Sequence, residues 1–259
     1  MSETGYNTLE LMAAVASRVL KDNKTVAVGT GLPVIAATLA KNTHAPHLVI
    51  IFESGGIDPQ LPTLPISVGD SRTVYKTVVA STLSDVMETV VRGYVDYAFL
   101  GSAQIDMYGN LNTTIIGNDY YHPKVRLPGS GGANEFGSLC WETIYIMNGH
   151  NPRKFVPKCD FITTPGYLTG PGAREEAGLP PNTGPYRVIS NLGLFGFDEV
   201  TKRMKLLATH PGVSVEEVVE ATGFELLVDE KVGQTEAPSE EVLRLLREVI
   251  DPEGYILGR

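Results

Sequence analysis

Five apolar, strand-forming residues, 48–52 (LVIIF), are followed directly by Glu53, Ser54, Gly55 and Gly56. A strand of that character belongs inside a sheet, so the carboxylate at its end either escapes to water or is the group the strand presents. Burial without partners disfavours a charged carboxylate, and donors from flanking glycine amides would restore it. Held that way, partly desolvated and with few partners, it is a competent nucleophile toward an acyl group. The plainer alternative is a glutamate running out to solvent ahead of an ordinary Ser-Gly-Gly turn. The residues alone lean toward the plainer one.

Three more glycine-bearing loops accompany it: Gly29, Thr30 and Gly31; the loop from Gly101 to Asp106; and the stretch GSGGA, which contains Gly131, Gly132 and Ala133. Without a Cβ, glycine lets backbone amides come close to a ligand, and clustered amides suit a phosphate or a developing oxyanion. One such cluster is commonly just a strand-to-helix turn. Four together, one led by a carboxylate, mark a candidate site. The glycines match neither GxGxxG nor GxxxxGK[ST], so dinucleotide and P-loop binding are not expected. His122 (DYYHPK) and His150 (NGHNP) read as residues of polar turns with no paired nucleophile. No spacing of His, Cys, Asp or Glu reads as a metal site. Cys140 and Cys159 give no disulfide framework, and Cys140, in SLCWETIYIM, reads as a small buried hydrophobe. The acidic run 229–241 (DEKVGQTEAPSEE) reads as a solvated face.

These loops need a frame. A helix is expected from Asn7 or Thr8 to about Lys21, a strand within KTVAVGTGLP, and a helix with Pro33 in its first turn. Strand, helix, strand in that order implies a parallel pair joined by a right-handed crossover. A helix over 83–94, a strand over 95–101, a turn-rich loop and a strand over 140–147 continue the alternation. Residues 165–185, rich in Gly and Pro, read as a long excursion. Residues 186–198 and 203–211 read as an antiparallel pair closing one edge. Ser214 and Glu217 form a capping-box pattern for a helix ending on Gly223, and 239–251 is a last surface helix. The expectation is one α/β domain, 1–259, with an open, mostly parallel sheet flanked by helices. In such a sheet ligands bind beyond the carboxyl ends of the strands.

The chain has 259 residues, 42% of them hydrophobic and 20% charged, and a formal net charge of −9. That charge argues against nucleic-acid binding, which needs a basic face, while leaving room for an anionic small ligand. No signal peptide is read at the N-terminus, and no apolar run approaches the ~20 residues needed to cross a bilayer. A cytoplasmic protein without a membrane partner is expected.

The segments VAVGTGLPVIAATLAK, FESGGIDPQLP, LGSAQIDMYGNLNTT, YHPKVRLPGSGGAN, TTPGYLTGPGAREEAGLP, FDEVTKRM and EVIDPEGYI cover most of the chain in order. Together they resemble the β subunits of family I CoA-transferases, in the glutaconate CoA-transferase branch. The resemblance implies that Glu53 attacks an acyl-CoA thioester, giving a mixed anhydride and then a glutamyl-CoA thioester, from which CoA passes to a second carboxylate. It implies an open α/β fold and an active site where an α subunit meets this chain, in a heterotetramer or larger assembly. Coenzyme A thioester is then a substrate, with no permanently bound cofactor and no metal. Oxyanion and CoA-binding roles fall on the loops of Gly29, Thr30 and Gly31, of Ser54 and Gly55, of Gly101, and of Gly131, Gly132 and Ala133. Gln104 either orients the acyl group or serves a structural turn. Two positions depart from the family pattern: Ser54 stands where many members have Asn, and Ser102 replaces a glycine, which is expected to reshape the acyl pocket. The alternatives are an acyl-CoA hydrolase or decarboxylase on the same scaffold, or a non-catalytic ligand-sensing subunit.

Overall fold

The structure is a computed structural model that describes residues 5–258. It divides into two compact units: the described residues up to Phe99 together with those from Glu236 on, and Leu100–Thr235.

The first unit begins with helix α1 (Thr8–Val19). Asn7 caps it by accepting the Glu10 amide, while the Glu10 carboxylate accepts the Asn7 amide. This capping box satisfies two helix-end donors reciprocally. Strand β1 (Thr25–Val28), helix α2 (Leu32–Asn42) and strand β2 (Val49–Phe52) follow. Pro33 stands in the first turn of α2, where its missing N–H would have no intrahelical partner anyway. Strands β1 and β2 pair in parallel, with Thr25 opposite Val49 and Val28 opposite Phe52. Val34, Ile35, Ala36 and Ala37 of α2 are fully buried, and the helix packs on α1 and β1. Strand β2 turns into β3 (Gly56–Ile57); a 3-10 turn, Ser71–Val74, leads on to β4 (Val79–Ala80). Helix α3 (Leu83–Val91) starts on a second capping box, Thr82 with Asp85, and leads to β5 (Tyr97–Leu100). The strand order is β5-β1-β2-β3-β4, parallel across the first three and antiparallel at β3 and β4.

The second unit opens with two antiparallel hairpins: β6 (Gln104–Ile105) with β7 (Leu111–Asn112), and β8 (Ile115–Ile116) with β9 (Val125–Arg126). Helix α4 (Ala133–Leu139) precedes strand β10 (Glu142–Met147), and a short helix α5 (Ala173–Glu176) interrupts the Gly/Pro-rich excursion. Strands β11 (Pro185–Ser190), β12 (Gly193–Phe197) and β13 (Met204–Thr209), helix α6 (Val215–Ala221) and strand β14 (Leu227–Gln234) complete it. Pairing is parallel for β10–β11 and β13–β14 and antiparallel for β11–β12 and β12–β13. The expected open, mostly parallel α/β sheet with helices beside it is present, and so is the Ser214–Glu217 capping box.

Two details differ from the sequence reading. Residues 186–198 form two strands, because the chain reverses at Asn191 and Leu192. Strand β13 is not an edge, since β14 pairs beyond it and takes in the first half of the acidic run. Its charges serve the strand: Asp229 pairs with Lys205 on β13 at 3.0 Å, and charged side chains blunt an exposed edge against unwanted pairing.

The chain then returns to the first unit as α7 (Glu240–Arg244), capped by Ser239 and continuing into a π-helical turn, Leu245–Ile250. From that turn Arg247 donates to both oxygens of Glu10, at 2.6 and 2.8 Å.

Candidate functional site

Glu53 is the first residue after β2. The Gly55 N–H donates to Phe52 O at 3.0 Å, which makes Glu53 and Ser54 the two central residues of a tight turn. The Ser54 hydroxyl donates to Val68 O at 2.5 Å, and the Ser81 N–H donates to Gly55 O at 3.0 Å. Gly55 has φ +118°, and a Cβ there would lie 2.1 Å from Ser81 O. At Gly56 a Cβ would lie 1.8 Å from Thr73 O. Both separations are far inside van der Waals contact, so only glycine fits and Ser-Gly-Gly is a steric requirement. Backbone from 68, 73 and 81 thus clamps the turn that carries Glu53.

Glu53 is half-buried, and among the described residues its carboxylate has no hydrogen-bond or ion-pair partner. This corrects the expectation of flanking glycine donors: the Gly55 N–H is closed on Phe52 O instead. The carboxylate is held by the conformation of its turn, and its lone pairs remain open.

Because Val28 stands opposite Phe52, Gly29 and Glu53 leave adjacent parallel strands at the same level. The loop of Gly29, Thr30 and Gly31 ends at the amino terminus of α2, and Gly31 supplies no side-chain cap. Nothing lies within 4 Å of a Cβ built at Gly29 or Gly31, so the space beside this loop is clear. First-turn amides and the helix dipole there favour a developing negative charge. Within the first unit, then, the fold sets a half-buried carboxylate beside an open amide-bearing loop.

The remaining sequence candidates belong to the second unit. Gly101 is exposed and directly follows β5. The Ser102 hydroxyl lies between Gln104 O (2.6 Å) and Asn112 O (2.8 Å), fastening β6 to β7. Gln104 is buried, and its Oε1 accepts from Asn112 Nδ2 (2.7 Å) and the Asp160 N–H (3.0 Å). Asp106 is buried as well and accepts the Tyr108 and Asn110 amides and the Asn110 side chain. Burial pushes its carboxyl above the ordinary range, against those donors. Gly131 (φ +49°) and Gly132 lead into α4 without a side-chain cap. The Ala133 N–H donates to Ser130 O at 3.0 Å.

His150 is not in a polar turn. It is buried, stacks on Phe155 at 3.5 Å, and meets the hydroxyls of Ser190 (2.9 Å) and Thr222 (3.0 Å). Burial pushes its pKa down to about 3, so it stays neutral. His122 is exposed and contacts Asp119. Both cysteines are buried, and burial pushes the Cys159 thiol up. Among the described residues no group of three His, Cys, Asp or Glu could hold a metal, and no helix is long and apolar enough to cross a membrane. The clamp by 68, 73 and 81 was missed, because no local pattern announces that distant backbone will close on two glycines.

The open α/β fold thus presents an unengaged carboxylate and an amide-bearing loop at the carboxyl ends of parallel strands. The coenzyme A transferase family profile matches residues 9–221, and the chain belongs to that family. It is 44% identical over 254 residues to the B-subunit of glutaconate CoA-transferase from Acidaminococcus fermentans, covering 96% of this chain and 94% of that one. It is 39% identical over 251 residues to the B-subunit of 3-oxoadipate CoA-transferase from Pseudomonas knackmussii, covering 94% and 93%. The crystal structure of the Acidaminococcus fermentans glutaconate CoA-transferase superposes with a TM-score of 0.94 at 41% identity, covering 99% of both chains.

Proposed function

We propose that this chain is the β subunit of a two-subunit CoA-transferase that moves CoA from an acyl-CoA to a free carboxylate such as glutaconate, with Glu53 as the nucleophile. The observation that carries the reading is the half-buried Glu53 carboxylate, unengaged at the end of β2 and level with Gly29 on the neighbouring strand. Family membership and the B-subunit relatives support a transferase that works with an α subunit.

A carboxylate oxygen of Glu53 adds to the thioester carbonyl, and collapse of the tetrahedral oxyanion expels CoA thiolate and leaves a mixed anhydride. The thiolate then attacks the glutamyl carbonyl and releases the donor acid, giving a glutamyl-CoA thioester. An acceptor carboxylate attacks that thioester, and the expelled thiolate takes the new acyl group, which regenerates Glu53. A thioester and a carboxylate are exchanged for another such pair, so no external energy source is needed. The barrier lies in the oxyanions, which amides at the 29–31 loop are suited to stabilise; one well-placed donor of this kind is worth ~2.7–4 kcal/mol. Binding energy from the remote length of CoA helps drive the anhydride step.

The test is to mix the purified two-subunit enzyme with acyl-CoA in the absence of acceptor and to map modified peptides after trapping. A CoA thioester on Glu53 is expected; an unmodified Glu53 in an enzyme that turns over rejects the mechanism. A screen of acceptor acids with acetyl-CoA then names the acid. Free CoA and acid accumulating without an acceptor would mean a hydrolase, and carbon dioxide release a decarboxylase.

A further inference from the structure

Two antiparallel pairings in succession bring β13 back to the direction of β11, so β10, β11, β13 and β14 all end on one side of the second unit's sheet. Two buried histidines join those ends: His150 follows β10, and His210 follows β13. Both reach Ser190, the last residue of β11. Its hydroxyl meets His150 Nδ1 at 2.9 Å, and its carbonyl oxygen meets His210 Nε2 at 2.8 Å. The other ring nitrogens fasten two further segments. His150 Nε2 meets the Thr222 hydroxyl at the end of α6 (3.0 Å), and His210 Nδ1 meets the Thr235 hydroxyl just past β14 (2.7 Å). The reversal between β11 and β12 is held by the same pair: the His150 N–H donates to Asn191 Oδ1 at 2.6 Å, and the His210 N–H to Leu192 O at 2.9 Å. The reaction proposed above uses none of these residues.

The partners leave each ring a single protonation state. Thr222 gives its one hydroxyl hydrogen to Val218 O at 2.7 Å, so toward His150 it can only accept, and Nε2 carries the hydrogen. His150 Nδ1 is then an acceptor for the Ser190 hydroxyl. A carbonyl oxygen also only accepts, so His210 carries its hydrogen on Nε2 and takes the Thr235 hydroxyl hydrogen at Nδ1. A second proton on either ring would set two donors face to face in a buried site. No carboxylate offsets it: among the described residues the groups that meet the rings are hydroxyls, a carbonyl, Phe155 and Phe195, all neutral. The charged groups on the surrounding elements are engaged elsewhere. Lys154 donates to Asn148 O, Arg187 of β11 lies over the Tyr186 ring, Lys205 of β13 pairs with Asp229 of β14, and Glu217 of α6 accepts the Ser214 N–H. Burial accordingly holds both rings below the ordinary histidine value of 6.5.

We propose that His150, Ser190 and His210 form an acid-released latch, closed while both rings are neutral, which opens in mild acid as each ring takes up a proton and frees the carboxyl ends of β11, β13 and β14 while the first unit stays folded. Ser190 makes it one device, because the same residue receives both rings and opening there exposes both. The sign follows from the depressed values. A ring of this kind contributes stability that is complete above the unfolded value near 6.5 and is lost as pH falls from there toward the folded value. That window lies above the range in which ordinary carboxylates titrate. The latch goes beyond the transferase reading and does not depend on it.

Amide hydrogen exchange of the two-subunit enzyme, read by mass spectrometry between about pH 7.5 and 5.5 and corrected for the intrinsic exchange rate, tests it. In peptides covering 186–192, 204–211 and 227–235 the opening constant rises about 100-fold over that range, as two protons taken up by groups of ordinary value 6.5 require. Peptides from β1 and β2 show no such rise. His150→Gln and His210→Gln each keep an N–H donor on the latch and remove one titrating ring, so the rise falls to about tenfold, and in the double variant it vanishes. The slope against pH is the readout, so a variant that is looser at every pH still answers the question. Glu53→Gln leaves the rise unchanged, which separates the latch from the transferase reading. Flat exchange across the range, an equal rise in β1 and β2, or the full rise in either single variant overturns the proposal.

Discussion

Glu53 and Asp106 both sit in loops that follow short strands, close to glycines, and the protein surrounds them differently. Asp106 is 4% exposed and takes backbone N–H bonds at 3.0 and 3.1 Å besides those of the Asn110 amide. Asn110 in turn accepts from the N–H groups of Gly166 and Leu168, so the acid organises the excursion over the second unit. Glu53 has no such donors among the described residues; neighbouring backbone fixes its turn and leaves the carboxylate alone. A saturated acid holds structure together, and an acid positioned without being bonded keeps its lone pairs for chemistry.

The contrast can be broken most sharply at Glu53 itself. Glu53→Gln removes the proposed nucleophile and is expected to lower transfer by at least about 10³-fold, with assembly and melting temperature unchanged. Retained activity, or a lost fold, would erase the distinction. Asp106→Ala should do the reverse: it strands several buried donors and costs about 4 kcal/mol in denaturant unfolding, with activity falling only as the folded fraction falls. Gly55→Ala tests the clamp. It sets a Cβ against Ser81 O in a backbone conformation that suits glycine, and should cost roughly 3 kcal/mol and lower kcat more than it raises KM.

The smallest expected effect comes from an acid that is bonded for structural reasons in the same unit as Glu53. Burial alone would raise the Glu10 pKa, but the Arg247 hydrogen bond and the Asn7 amide outweigh it and hold the group below its ordinary 4.5. A carboxyl depressed in the folded state contributes stability that is complete above the ordinary value and is lost as pH falls through the folded value. Arg247→Ala should cost about 2 kcal/mol at neutral pH, with a shallower decline of stability below pH 4.5 than the parent, measured by unfolding across pH.

The β1–α2–β2 frame was legible because local signals agree there: apolar runs, a glycine turn and Pro33 in a first turn all point to one structure. Glu53 stood out for the same reason, a charge at the end of an apolar run. What decides its environment was not legible, because the clamp at Gly55 and Gly56 comes from backbone far along the chain. Strand β14 was hidden by its charges, which serve an exposed edge, and His150 by the polar residues around it in sequence. Helix α4 was hidden because its opening glycines carry no cap signal. Arg174 left a faint trace, an arginine in a Gly/Pro-rich stretch, but its burial does not follow from composition.

The first unit is assembled from both flanks of the second: Arg247 grips Glu10, Arg18 donates to the carbonyls of Glu236 and Ala237, and Asn7 donates to Leu257 O. During synthesis the intervening segment therefore emerges before residues 236–257, and the fastenings of α1 wait for that later stretch. Nascent chains stalled before residue 236 would carry an unfastened α1, whereas the turn that holds Glu53, closed by backbone at 68, 73 and 81, would already have all its partners.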